Sequence, residues 1–138
     1  MKKLFSITAL GLFFLLSSCD KNDTEGQRDE CFEATIIAEI CGNAVLQIND
    51  EDFEDLGVDG WTNQEVVYDN VFFTRFNCDE LAYFGKLARP SLAGLKVKVS
   101  VTDAKDWGSC AVCLATLSNP PSKYLDVEIL DDDCIPVE

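Results

Sequence analysis

The amino-terminal segment constrains the fold more than any other stretch, because it sets the compartment in which the rest of the chain folds. Lys2 and Lys3 precede the largely apolar run 4–16, and two serines follow before Cys19. A basic start, an apolar centre and small residues at the end are typical of a secretory signal. The run is shorter than the roughly 20 apolar residues that span a bilayer. We therefore expect residues 1–18 to be removed during export.

The end of this segment, Leu16-Ser17-Ser18-Cys19, resembles the lipobox of bacterial lipoproteins. In that family a diacylglycerol is attached to the cysteine sulfur, the signal is cut before the cysteine, and the new amino group is acylated. The resemblance implies a lipidated Cys19 that anchors the protein in the bacterial cell envelope, with the outer membrane as the expected location. Several acyl chains on one residue give stable attachment, whereas a single chain holds only marginally. An ordinary signal peptide with a chance cysteine is the alternative.

Residues 19–30 are predicted to form a disordered tether between the lipid and a single domain at 31–138. From Asp20 to Glu30 no apolar side chain is longer than a methyl group. Such a segment buries too little apolar surface to offset the entropy lost on ordering. The remaining length suits one domain.

The charge balance excludes one class of partner. The chain has 11 basic and 25 acidic residues, and loss of Lys2 and Lys3 with the signal changes the net charge from −14 to −16. A chain this acidic is repelled by phosphate backbones, so we expect no nucleic-acid partner. The expected contact with the membrane is the lipid on Cys19.

An even number of cysteines follows Cys19, and they are Cys31, Cys41, Cys78, Cys110, Cys113 and Cys134. In an exported chain this predicts three disulfides, with 15 possible connectivities. A zinc site is disfavoured because the chain has no histidine and one Cys-x-x-Cys pair, so neither a metal nor a cofactor is expected. Cys31 and Cys41 cannot pair across an extended strand of about 33 Å. A Cys31–Cys134 disulfide would join the ends of the domain.

Alternating apolar residues predict a mainly β fold. Strands are expected at 31–41, 44–48, 65–76 with a bend, 95–101, 113–117 and 125–129, and a short helix capped by Asp79 at 80–87. Three strands, a helix and two or three strands suit a small, closed, disulfide-stabilised barrel of the oligonucleotide/oligosaccharide-binding (OB) type. A β-sandwich is the alternative.

The acidic stretch 50–60 is predicted to be a solvated loop. A calcium loop of the EF-hand type is the alternative, since carboxylates bind hard cations, but the glycine at the sixth position and the glutamate at the twelfth are missing.

The whole pattern resembles small disulfide-bonded lipoproteins of Bacteroidota-type envelopes, which are similar to barrel domains of unassigned function. The features that carry it are the lipobox, the acidic tether, the early cysteine pair, Gly94-Leu95-Lys96-Val97-Lys98-Val99, Cys113-Leu114-Ala115-Thr116-Leu117, Pro120-Pro121 and a terminal cysteine. The resemblance covers about the last hundred residues. Cys78 and Cys110 depart from it, so it implies no disulfide pairing, and it implies no active-site residues.

Catalytic chemistry has little support in the sequence. Without histidine there is no Ser-His-Asp or Cys-His arrangement. Cys110 and Cys113 form the sole thiol-redox candidate, but they lie in a strand pattern and not at a helix N-terminus that would lower a thiol pKa. A non-enzymatic binding or assembly module is therefore predicted. A carrier of a small ligand and a thiol-redox or carboxylate-based enzyme are the alternatives.

Aromatic residues offer a candidate partner surface. In 71–76, Phe72 and Phe76 share one parity and Phe73 has the other, so one buried face cannot hide all three. We expect the helix at 79–87 to cover the second face. The alternative is an exposed patch that contacts an envelope protein or a saccharide. Its candidate residues are Phe72, Phe73, Trp61, Tyr68 and Trp107.

Overall fold

A computed structural model describes residues 31–111, 113–135 and 137, and the predicted signal peptide, lipidated Cys19 and tether lie outside them. The elements in chain order are β1 (Phe32–Ile40), β2 (Asn43–Ile48), a 3-10 helix (Glu51–Leu56), β3 (Trp61–Asn63), β4 (Val66–Tyr68), β5 (Val71–Arg75), α1 (Cys78–Lys86), β6 (Lys96–Val101) and β7 (Val127–Leu130). In this part of the chain no helix is both long and apolar enough to cross a membrane.

The protein is mainly β, as predicted, and its strands form two sheets. One sheet has five antiparallel strands in the order β5-β2-β1-β6-β7, and β3 and β4 form a separate hairpin. One isolated parallel bridge joins Phe73 of β5 to Tyr124, just before β7. There the Phe73 N–H donates to the Lys123 carbonyl at 2.8 Å, and the Leu125 N–H donates to the Phe73 carbonyl at 3.0 Å. The two outer strands therefore approach each other at this bridge.

The alternation in β1 predicts its buried face correctly only as far as Ile36. Phe32 and Ile36 are buried in the core, but Ile40 is 38% exposed. A β-bulge shifts the register between Ile36 and Ala38, so that Ala38 lies opposite Val45 of β2. A one-residue shift turns the following side chains to the other face of the sheet. Ala38 therefore lies on the outer face, away from the core.

Both faces of β2 are buried. Ala44, Val45 and Leu46 are each fully inaccessible to solvent. The inner face packs into an apolar core in which the rings of Phe32 and Phe53 stack at 4.8 Å. Since adjacent strand residues point to opposite faces, another element must cover the outer face.

The chain between β6 and β7 lies against this outer face, and we name its described residues, 102–111 and 113–126, the strap. The Asn43 side-chain amide of β2 donates to the Ala115 carbonyl at 3.0 Å. A disulfide also joins Cys113 to Cys41, in the turn between β1 and β2. The expected strand at 113–117 is wrong, because this backbone bonds to a side chain and not to a neighbouring strand. Leu114 of the strap is 96% exposed.

The expected bent strand at 65–76 is two strands in different sheets. β4 pairs with β3, whereas β5 pairs with β2. Asn70 has a φ of 57°, in the left-handed region that asparagine tolerates. This turn residue separates the two strands.

The helix begins two residues earlier than predicted. The Asn77 side-chain oxygen accepts from the Glu80 N–H at 2.9 Å, and the Glu80 carboxylate accepts from the Asn77 N–H at 2.7 Å. This reciprocal capping box satisfies two backbone donors. Asn77, and not Asp79, is therefore the N-cap. Phe84 of α1 packs on Phe76, with ring centroids 4.8 Å apart.

The six cysteines form three disulfides, as predicted. The pairs are Cys31–Cys134, Cys41–Cys113 and Cys78–Cys110, with Cα atoms 5.9, 5.4 and 5.8 Å apart. Cys110 and Cys113 bond to different partners, so the Cys-x-x-Cys segment has a structural role in two separate disulfides. The connectivity is nested, each pair enclosing the next along the chain.

Candidate functional site

The strap places aromatic side chains beside an arginine on the outer face of β5. The ring of Phe73 packs against Tyr124 with centroids 5.7 Å apart, and the Arg75 guanidinium lies 5.3 Å from the centroid of Trp107. Trp107 and Tyr124 are 41% and 42% exposed, and Arg75 is exposed. We name Phe73, Arg75, Trp107 and Tyr124 the Arg75 cluster. Two large aromatic side chains and a cation are thus presented together to solvent.

The structure divides the predicted aromatic surface. Phe72 is fully buried in the core, so its assignment to an exposed partner surface is wrong. Phe73 is half-buried, and its cover is Tyr124 of the strap and not α1 as expected. Trp107 belongs to the Arg75 cluster, whereas Trp61 and Tyr68 lie on the β3–β4 hairpin.

A buried ion pair holds the strap in place beside the cluster. Lys105 Nζ lies 2.8 Å from a carboxylate oxygen of Glu80, and the two side chains are 1% and 4% exposed. Lys105 also donates to the Arg75 carbonyl at 2.7 Å and to the Val127 carbonyl at 2.6 Å. All three ammonium protons therefore have acceptors. The pair joins the strap, α1, the end of β5 and the start of β7.

The same ion pair positions Trp107. Lys105 Nζ lies 5.5 Å from the Trp107 ring centroid, so the indole is within cation–π distance of both Lys105 and Arg75. The Trp107 carbonyl accepts from the Cys78 N–H at the start of α1 at 3.3 Å. Sequence reasoning missed Lys105 and Glu80 because they lie far apart in the chain, and the capping-box spacing of Asn77 and Glu80 indicates only a helix start.

A cavity of about 290 Å³ adjoins the cluster. Its lining is Arg75, Phe76, Cys78, Trp107, Gly108 and Cys110. Gly108 has a φ of 64°, and a Cβ there would lie 3.0 Å from the Cys78 Cβ. The positive φ and the close contact both favour glycine at this position. The Cys78–Cys110 disulfide links α1 covalently to the strap in one wall of the cavity.

Tyr124 is a neutral hydrogen-bonding group in this cluster. Its hydroxyl donates to the Asp126 carboxylate at 2.6 Å. Partial burial and this hydrogen bond raise the pKa of Tyr124 to about 12. The phenol therefore keeps its proton throughout the physiological pH range.

A second cavity, of about 200 Å³, lies at the β3–β4 hairpin. Trp61 pairs with Tyr68 across the hairpin, with ring centroids 5.9 Å apart. The indole N–H of Trp61 donates to the Asn119 carbonyl of the strap at 2.7 Å. The lining residues are all uncharged, and they are Ala38, Trp61, Thr62, Asn63, Gln64, Leu117, Ser118 and Asn119.

Carboxylates order the backbone of the acidic stretch 50–60 and tie its end to residues 69–70. Asp50 caps the 3-10 helix by accepting from the Asp52 N–H. Asp59 accepts from the Asn70 N–H at 3.0 Å, and Asp69 accepts from the Gly60 N–H at 2.9 Å. Among residues 31–111, 113–135 and 137, three or more metal-binding side chains do not come together in one group.

No protein-family model, no curated protein and no solved structure matches the chain. The two cavities and the Arg75 cluster are therefore the basis for a functional proposal.

Proposed function

We propose that the protein is a lipid-anchored lipoprotein of the bacterial cell envelope that binds a protein partner through the Arg75 cluster, without catalysis. The observation that supports this most is the joint exposure of Trp107, Tyr124 and Arg75 on one face. Tryptophan, tyrosine and arginine are the side chains that most often dominate binding energy at protein interfaces. The anchor rests on the resemblance of Leu16-Ser17-Ser18-Cys19 to a lipobox.

The cluster is rigid before a partner arrives. Trp107 lies on a strap fixed by the Cys78–Cys110 disulfide and by the buried Lys105–Glu80 pair. Ordering side chains at an interface costs roughly 0.5–1.5 kcal/mol for each flexible one. Because this ordering occurs during folding, little of that cost remains for binding.

Arg75 supplies the chemical selectivity. Lys105 is buried and paired with Glu80, whereas the Arg75 guanidinium forms no ion pair with any residue in the described ranges. Arginine presents a planar fork of donors that fits a carboxylate or a pair of carbonyl oxygens. The partner is therefore expected to place such an acceptor beside an apolar contact for Trp107.

We also propose that the five-stranded sheet closes into an OB-like barrel at the Phe73–Tyr124 bridge. Three features support this arrangement. They are the strand order β5-β2-β1-β6-β7, the position of α1 between β5 and β6, and the parallel contact between β5 and the residue Tyr124 just before β7. In OB folds the face of strands 2 and 3 and the loop between strands 4 and 5 bind ligands. Here those positions correspond to β2, β5 and the strap, where the cluster lies.

Site-specific photo-crosslinking in the native envelope tests this function. A photoreactive residue at Ser109, which is exposed beside Trp107, should give a discrete protein adduct, and the same residue at exposed Asp55 should not. Trp107→Ala and Arg75→Gln should each reduce the Ser109 adduct at least about fivefold, since replacing a hot-spot residue costs about 2 kcal/mol or more.

An adduct at Ser109 that persists at full yield in both variants would refute the interface.

The lipid anchor is tested separately in the same cells. Cys19→Ala should take up no fatty-acid label and should remain an uncleaved precursor. Normal labelling and processing of Cys19→Ala would remove the lipoprotein assignment without affecting the result at Ser109.

A further inference from the structure

The cavity at the β3–β4 hairpin differs in chemistry from the Arg75 cluster. Its lining contains one indole, from Trp61, and no charged side chain. Asn63, Gln64 and Ser118 also line the cavity, and they carry amide and hydroxyl groups that both donate and accept hydrogen bonds. An aromatic surface surrounded by neutral polar groups suits a ligand that has apolar C–H faces and many hydroxyl groups.

Trp61 is held in place before any ligand binds. It pairs with Tyr68 across the hairpin, and its one polar group, the indole N–H, donates to the Asn119 carbonyl. The ring is half-buried, so part of its surface stays open to the cavity. At the tip of the hairpin, Gln64 and Glu65 have φ values of 47° and 69°, which define a tight turn. The Trp61 ring and the backbone of the hairpin that carries it are thus ordered without a ligand.

The size of the cavity limits the ligand. Pockets for drug-sized molecules hold roughly 300–1,000 Å³, whereas this one holds about 200 Å³. It therefore suits a single ring of a longer chain. The charge limits the ligand further, because the protein carries a net charge of −14 and the lining provides no lysine or arginine to offset repulsion of an anion.

We propose that this cavity binds one pyranose unit of a neutral oligosaccharide, with the sugar ring against Trp61 and its hydroxyl groups bonded to Asn63, on the same face of β3, and to Gln64. The site is separate from the Arg75 cluster and goes beyond the proposed protein interface. An envelope protein with both sites would hold a glycan and a protein partner at the same time.

Calorimetric titration of the full-length protein in detergent micelles tests the proposal. The probes are the neutral hexasaccharides of α-1,4-glucose, β-1,4-glucose, β-1,4-mannose and β-1,4-N-acetylglucosamine, with hexagalacturonate as the anionic comparison. At least one neutral chain should bind saturably with a Kd of about 1 mM or tighter. Trp61→Ala should weaken that binding at least about tenfold, whereas Trp107→Ala should change it less than about twofold.

A second variant guards against a folding defect in Trp61→Ala. Asn63 lies on the same face of β3 as Trp61, and Asn63→Val removes the side-chain amide while introducing a β-branched residue that favours a strand. Asn63→Val should keep the melting temperature of the wild type and weaken binding several-fold.

Three outcomes would overturn the proposal. These are no binding of any neutral hexasaccharide at about 10 mM, binding of hexagalacturonate as tight as that of the best neutral chain, and full affinity in Trp61→Ala. A loss of hexasaccharide binding in Trp107→Ala alone would indicate that the glycan binds at the Arg75 cluster, and it would therefore contradict this site. The adduct at Ser109 tests the protein interface independently of all these results.

Discussion

Lys105 and Glu80 connect four parts of the fold, namely the strap, α1, β5 and β7. They lie 25 positions apart in the chain, and both side chains are almost completely buried. Glu80 also accepts from the Ile129 N–H of β7 at 3.0 Å, in addition to capping α1. Burying two charges costs several kcal/mol for each ion, and good geometry with complete hydrogen bonding is needed to offset that cost. Here every ammonium proton and both carboxylate oxygens have partners.

We therefore expect Lys105→Met to destabilise the protein by about 3–5 kcal/mol, because it leaves the Glu80 carboxylate buried without a cation. The matched control is the double variant Lys105→Met with Glu80→Gln, which leaves no charge behind and should recover part of the loss. Urea unfolding, followed by circular dichroism, measures both. A single variant within about 1 kcal/mol of the wild type would contradict the structural role assigned to the pair.

At the scale of elements, sequence periodicity predicted the bounds of β1, β2 and β6 to within about one residue, and it missed local irregularities of the backbone. β6 and the first half of β1 follow their alternation, because each has a single apolar face. The bulge after Ile36 could not be read from the sequence, since apolar residues occupy both parities there.

Segment 113–117 shows a different error, because a strand was predicted there and the structure has none in these residues. Cys113, Leu114 and Leu117 read as a strand, yet the backbone there is held by a disulfide and by the Asn43 amide. Both are long-range contacts, which local periodicity cannot report. For the same reason the sequence identified Trp61 and Trp107 as candidates but could not show that they lie in two different sites.

The contact between the strap and β5 gives an element-scale prediction. Phe73 is half-buried under Tyr124, and its backbone forms both hydrogen bonds of the parallel bridge. Removal of a fully buried phenylalanine costs about 3–5 kcal/mol, so Phe73→Ser should cost about 2 kcal/mol. Val67→Ser on the hairpin is the matched control, because Val67 is 62% exposed and should change stability by less than about 0.5 kcal/mol. Equal melting curves for the two variants would mean that the strap does not stabilise β5.

At the scale of the whole molecule, the disulfides act as nested rings and not as three independent loops. Their sequence separations are 103, 72 and 32. With Cys41–Cys113 intact, the ring closed by Cys31–Cys134 contains the difference between 103 and 72, which is about 31 residues. Without Cys41–Cys113, that ring contains the difference between 103 and 32, which is about 71 residues. The contribution of the outer disulfide should therefore depend on whether the middle one is present.

A double-mutant cycle on the two disulfides tests this dependence. Loop-closure entropy grows as 1.5RT times the logarithm of ring length, so the increase from about 31 to about 71 residues corresponds to about 0.7 kcal/mol. Replacing Cys31 and Cys134 by alanine should cost about 4 kcal/mol in the otherwise intact protein. It should cost about 0.7 kcal/mol more when Cys41 and Cys113 are also alanine. Urea unfolding of the four proteins gives the coupling energy directly. A coupling of zero would mean that the disulfides act as separate loops, and a coupling of opposite sign would mean that native-state packing around Cys113 outweighs ring entropy.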